Sequence, residues 1–126
     1  MMTPEALVQE ALQALQNAYV PYSGFKVGAA LLTKGGTVYR GCNIENAAYG
    51  PSNCAERTAI FKAVSEGERE FAAIAVVGGK DGVVTDIFPP CGVCRQVMQE
   101  FCGPEFPIYM GRGDGSYVAV RLDELL

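Results

Sequence analysis

Cys54-Ala55-Glu56-Arg57-Thr58-Ala59-Ile60-Phe61-Lys62-Ala63-Val64-Ser65-Glu66-Gly67, followed three residues later by Phe71-Ala72-Ala73-Ile74-Ala75-Val76-Val77, is the stretch that decides the fold. Ala59, Ile60, Ala63 and Val64 recur on one helical face, and Gly67 stops the pattern. Phe71 to Val77 then reads as a strand covered on both faces, because it has no polar positions to turn toward water. Working outward, Thr3-Pro4-Glu5 supplies a cap, a proline at the first helical position and an acid in the first turn. Leu7, Ala11, Ala14, Leu15 and Ala18 give that first helix one apolar face, which lasts until Pro21. Val27 to Leu32 and Thr37 to Cys42 are β-prone runs joined by Thr33-Lys34-Gly35-Gly36, the pattern of a hairpin. Asn46 to Asn53, with Gly50 and Pro51, forms a loop that delivers the chain to Cys54.

Downstream, Gly78 and Gly79 are expected to end the buried strand, and a loop runs on to Pro90. A helix from Cys91 to about Phe101 follows, then strands at Pro107 to Tyr109 and Tyr117 to Val120, with Asp123 to Leu126 opening a last helix or ending the chain. This order predicts an α/β fold, a mixed sheet sandwiched by helices. The hairpin should be antiparallel and the later strands parallel through right-handed crossovers. In open sheets of this kind reactive groups collect where strands end and helices begin, and both cysteine clusters stand at such points.

Length and composition narrow the function. The chain has 126 residues, the size of one domain spanning 1–126, with 49% apolar and 19% charged residues. Its net charge is −4 and its basic residues are scattered, so a phosphate backbone finds little to hold; small-molecule partners are expected in place of nucleic acid. No apolar run approaches the roughly 20 residues that span a bilayer, and the N-terminus lacks a basic segment followed by an apolar one, so no membrane association and a cytoplasmic location are expected.

The chemistry lies in Cys54-Ala55-Glu56 and Pro90-Cys91-Gly92-Val93-Cys94. Five cysteines without an export signal argue for metal binding or catalysis over a disulfide framework. Three cluster; Cys42 and Cys102 lie in or beside apolar segments and read as structural thiols. The chain has no histidine, which excludes Ser-His and Cys-His nucleophiles and leaves thiolates and carboxylates to hold a metal. Three ligands, Cys54, Cys91 and Cys94, match a catalytic zinc site, which keeps its fourth position for water; a structural site closes with four. Cys91 and Cys94 share a helical face, whereas Cys54 and Glu56 point apart on a regular helix. Cys54 is therefore expected at the frayed first position of its helix, with Glu56 reaching over the open side of the metal. Two helix N-termini would then face the thiolates. Arg57 and Arg95, each just after a cluster, could hydrogen-bond the sulfurs and restore Lewis acidity to a site with three negative ligands. A carboxylate beside water activated by zinc can protonate a ring nitrogen and then a departing amine, which is hydrolytic deamination.

On these residues the chain resembles the cytidine deaminases, in the short form whose zinc is held by three cysteines. The resemblance rests on Pro21-Tyr22-Ser23-Gly24-Phe25-Lys26-Val27-Gly28-Ala29-Ala30-Leu31, Gly41-Cys42-Asn43-Ile44-Glu45-Asn46-Ala47-Ala48-Tyr49, Cys54-Ala55-Glu56-Arg57-Thr58-Ala59-Ile60 and Pro90-Cys91-Gly92-Val93-Cys94-Arg95-Gln96, in the family's order. It implies one Zn²⁺ per subunit on Cys54, Cys91 and Cys94, and Glu56 as proton shuttle. It also implies Asn43 and Glu45 as ribose-hydroxyl contacts, Phe25 stacking on the pyrimidine, Ala55 as a backbone contact to the base, and Tyr49 lining the pocket near a subunit boundary. A homotetramer acting on cytidine and 2′-deoxycytidine in pyrimidine salvage follows from the same resemblance. The family often ends in a proline-containing tail with an aromatic over the substrate, and by the same resemblance that aromatic is not expected to follow Asp123-Glu124-Leu125 here.

Taken without their neighbours, Phe25 reads as core and Glu56 as a first-turn acid stabilising a helix dipole, and Asn43 and Glu45 fit a solvated strand end as readily as a sugar. Rival functions are a structural zinc site completed by Cys42, Cys102 or a carboxylate, and a thiol oxidoreductase using Cys91 and Cys94, which leaves Cys54-Ala55-Glu56 unexplained. Deamination of a nucleoside antibiotic or of RNA or DNA remain variants within the same chemistry.

Overall fold

Thr3 starts the first helix as its sequence predicts, its hydroxyl accepting the Ala6 N–H at 3.1 Å with Pro4 at the first helical position. This helix, α1, spans Pro4–Ala14 in a computed structural model that describes residues 2–125. It tightens into a 3-10 turn at Leu15–Asn17 and stops short of Pro21. Ala18 turns extended there, and Tyr19 exchanges backbone hydrogen bonds with Asn43 and Glu45 at 3.0 and 2.8 Å.

Strands β1 (Phe25–Thr33) and β2 (Val38–Cys42) form the expected hairpin, paired from Gly28 opposite Cys42 to Leu32 opposite Val38. Helix α2 (Ala55–Ser65) leads to β3 (Phe71–Lys80), α3 (Gly92–Phe101) to β4 (Pro107–Gly111), and β5 (Tyr117–Arg121) to a last short turn of helix, α4 (Leu122–Leu125). The sheet order is β2-β1-β3-β4-β5.

Two expectations are corrected here. Among the strands of the described residues, only β3 and β4 pair in parallel, through the α3 crossover; β3 lies antiparallel to β1, and β5 antiparallel to β4. The β4–β5 connection closes with Arg112 N–H donating to the Ser116 carbonyl at 2.8 Å, far too short for a crossover, which needs a dozen or more residues. The buried strand also continues through Gly78 and Gly79 to Lys80. A Cβ at Gly79 would lie 2.0 Å from the Val83 carbonyl oxygen, so the glycine is there to let the following loop fold back on the strand.

Alternation along the central strands builds two cores. Val27, Ala29 and Leu31 of β1 and Ile74 and Val76 of β3 face Ala59, Ile60 and Ala63 of α2 and Cys94 and Met98 of α3. Ala30, Leu32, Ala73, Ala75 and Val77 face Leu7, Val8, Ala11 and Leu15. Helices thus cover both faces of a mixed sheet, and each large aliphatic in these layers contributes about 1.5–3 kcal/mol by leaving water.

Strand glycines set how closely the helices approach. A Cβ at Gly28 would meet the Ala11 carbonyl oxygen at 2.2 Å, and one at Gly41 the Ala55 carbonyl oxygen at 2.3 Å and the Ala59 nitrogen at 2.5 Å. All these are backbone atoms, so Gly41→Ala must push α2 off the sheet at its N-terminal turn. The expected cost is about 1–3 kcal/mol. Urea unfolding checks this, and an unmoved midpoint would show that α2 can shift aside freely.

Candidate active site

Cys54 and Cys91 are the N-cap residues of α2 and α3, both in extended backbone conformation, and Cys94 lies in the first turn of α3. The N-cap position frees Cys54 from helical geometry, so it and Glu56 converge although they are two residues apart. Cys91 Sγ lies 3.4 Å from Cys54 Sγ and 3.3 Å from Cys94 Sγ, and all three sulfurs are within 4.8 Å of one another. Tetrahedral ligation at about 2.3 Å spaces sulfurs about 3.8 Å apart, so this donor set fits Zn²⁺. The Cys94 N–H points at Cys91 Sγ at 3.4 Å, and two helix N-termini place their positive ends at the sulfurs.

Arg57 Nη2 donates to Cys54 Sγ at 3.2 Å, as its position in the sequence suggests. Arg95 does not reach a sulfur. Its guanidinium donates to the Pro90 carbonyl at 2.9 Å and the Leu125 carbonyl at 2.8 Å, bracing the second cysteine segment against α4. The neighbouring Cys94 thiol and the Arg57 guanidinium hold Cys54 well below the ordinary thiol range, while the neighbouring Cys54 and burial push Cys94 up. Burial also pushes Cys42 and Cys102 up, Cys102 to about 12.

Glu56 is 1% exposed, and its Oε1 has no hydrogen-bond partner. Burial pushes its carboxyl up to about 7, and the neighbouring Cys54 thiolate adds to the rise. An orphaned buried oxygen beside a thiol cluster makes Glu56 a candidate for the chemistry of this site.

These groups open into a cavity of about 400 Å³, the size of a small-molecule site, which Phe25, Asn43, Glu45, Tyr49, Cys54, Ala55, Glu56, Arg57 and Cys91 all line. Buried Cys94 completes the sulfur cluster behind it.

Asn43 and Glu45 reach the cavity because Ile44, between them, pairs with both Tyr19 and Asn53. Both also brace the protein. Asn43 accepts the Val27 N–H and donates to the Phe25 carbonyl, each at 2.9 Å. Its carboxamide keeps a second N–H and a second lone pair for a ligand. Glu45 accepts the Tyr22 and Ser23 N–H groups at 3.0 and 3.1 Å and the Ser23 hydroxyl, which chiefly holds its carboxyl below the ordinary range. Tyr49 sits on the rim, 78% exposed, at φ +61°, a conformation costly for a tyrosine and held by the Asn46 turn.

Two features escaped the sequence reading. Phe88 lines the cavity from the segment before Pro90, its ring 5.1 Å from that of Phe25. Asn53 donates to Thr58 Oγ1 at 3.2 Å, and Thr58 donates to the Cys54 carbonyl at 3.1 Å, tying the metal-site turn to α2. An aromatic three residues before the first cysteine of the pair was the signal for Phe88; for Asn53 there was none beyond its position next to Cys54.

A family model described as the cytidine and deoxycytidylate deaminase zinc-binding region matches residues 1–110. The chain belongs to this family. Among its members, the cytidine deaminase of Halalkalibacterium halodurans is 54% identical over 125 residues, 99% of this chain and 92% of that one. That of Sporosarcina psychrophila is 52% identical over 125 residues, 99% of this chain and 89% of that one. Among solved structures, the cytidine deaminase of Burkholderia pseudomallei superposes with a TM-score of 0.91 at 49% identity, covering 99% of this chain and 97% of that one. The family's zinc-binding character agrees with the sulfur cluster found here. Among the described residues, no helix is long and apolar enough to cross a membrane.

Proposed function

We propose that this chain is a zinc-dependent hydrolase that converts cytidine and 2′-deoxycytidine to uridine and 2′-deoxyuridine with release of ammonia. One observation carries the reading: three sulfurs within 4.8 Å of one another stand beside a buried carboxylate with an unpartnered oxygen, at the wall of a nucleoside-sized cavity. Zn²⁺, one per chain on Cys54, Cys91 and Cys94 with a coordination position left over, supplies when bound the Lewis acid that makes water a nucleophile at neutral pH.

Glu56 moves the protons. It takes one from the attacking water and delivers it to the ring nitrogen as the oxygen bonds to the reacting carbon. It then takes the remaining proton from the hydroxyl on that carbon and passes it to the amine, which leaves as ammonia while the carbonyl forms. A carboxyl near pH 7 both accepts and donates readily. Phe25 stacks on the pyrimidine, the Ala55 backbone contacts the base, and Asn43 and Glu45 take the sugar hydroxyls with the hydrogen-bonding capacity their structural bonds leave free. Tyr49 lies at the rim, where neighbouring copies in a homotetramer complete the site.

Paired cores that both draw on β1 and β3 support one domain over 1–126. Five free thiols suit the reducing cytoplasm, and the acidic charge balance suits nucleoside salvage better than nucleic-acid editing.

Ultraviolet monitoring of cytidine with the purified zinc-loaded protein tests the activity, and an unchanged spectrum would overturn it. The Arg57 guanidinium withdraws charge from Cys54, so Arg57→Ala is expected to keep zinc while lowering kcat by roughly tenfold or more. Turnover and metal content both at wild-type values would remove that role.

A further inference from the structure

We propose that Phe88 limits the size of the substituent accepted at C5 of the pyrimidine, a role that rests on the deamination reading above. The Phe88 and Phe25 rings lie 5.1 Å apart with their planes at 43°, and both face the active-site cavity. The same rings also line a second cavity of about 430 Å³, bounded further by Gly79, Val83, Thr85 and Ile87. The ring pair is therefore the partition between two spaces.

Strand β3 fixes where that partition stands. A Cβ at Gly78 would lie 3.0 Å from Phe25 Cε1 and 3.0 Å from Phe88 Cγ, so both rings rest directly on the strand backbone. They cannot retreat toward the sheet to admit a larger ligand.

The reaction dictates which edge of the base meets Phe88. The carbon that loses the amine must lie at the sulfur cluster, and its ring neighbours are N3 and C5. Glu56 protonates N3, so the N3 edge faces α2 and the C5 edge faces the opposite wall. The segment carrying Phe88 and Cys91 lines the same cavity and is the wall assigned to the C5 edge. Hydrogen at C5 fits against the ring; a methyl group meets it.

The test is the ratio of kcat/KM for 5-methylcytidine to that for cytidine, measured on the zinc-loaded protein. Phe88→Ala opens the partition and is expected to raise the ratio roughly 10- to 200-fold, the range one methyl group spans in an apolar pocket. Phe88→Leu keeps an apolar side chain and is expected to raise it less. Gly78→Ala pushes both rings off the strand into the site and is expected to lower it. A ratio equal to that of the unsubstituted chain in both Phe88 variants, with cytidine still turned over, overturns the proposal. Absence of cytidine turnover in the unsubstituted chain is a different result, one that removes the deamination reading and this inference with it.

Discussion

Glu56→Gln is expected to retain one zinc per chain and to lose cytidine turnover by at least roughly 10²- to 10⁴-fold. Glutamine fills the same volume, which matters for a side chain 1% exposed that lines the cavity with Cys54 and Cys91. It is not among the three sulfur donors, so the metal should stay. What the amide cannot do is accept a proton from water and hand it on. Metal analysis beside the ultraviolet assay separates these effects, and near-normal turnover in a zinc-replete variant would strip Glu56 of its role.

Cys94→Ser is expected to abolish both bound zinc and turnover. Cys94 is fully buried, 3.3 Å from Cys91 Sγ, and projects from the first turn of α3 into the space between the two helix N-termini. A serine hydroxyl is a poor zinc ligand there because it stays protonated and sits on a shorter bond. Loss of the metal also removes a bridge between the N-termini of α2 and α3, so the melting temperature should fall, since a metal that binds only the folded chain stabilises it. Cys102→Ala is the matched control. Burial pushes that thiol up to about 12, and it is expected to leave zinc stoichiometry unchanged. Equal zinc content in Cys94→Ser and the parent would contradict the ligand assignment.

Much of this site was legible because its signals are local. Thr3-Pro4, the Thr33 to Gly36 turn and the buried β3 run each fix their own geometry, and the Cys-x-x-Cys spacing fixes two donors on one helical turn. The position of Cys54 at an N-cap was also readable, because only departure from the helix lets it share a site with Glu56. Strand direction was less legible. Whether β5 runs with or against β4 depends on a tight turn at Arg112 to Ser116, and a run of Gly78-Gly79 looked like a strand end when it was a place where two aromatic rings and a loop press on the backbone. Arg95 resembled Arg57 in sequence, but its partners are carbonyls, one of them thirty residues away in α4, a choice set by tertiary packing alone. Phe88 was missed for a related reason, since its importance comes from Phe25 and Gly78, which are distant in the chain.

X-ray absorption at the zinc edge of the loaded protein tests the central claim most directly, because the account requires sulfur from two chain segments and a position left for water. It predicts three sulfurs at about 2.3 Å and one oxygen scatterer. Four sulfurs, with Cys42 or Cys102 recruited to close the shell, would contradict it.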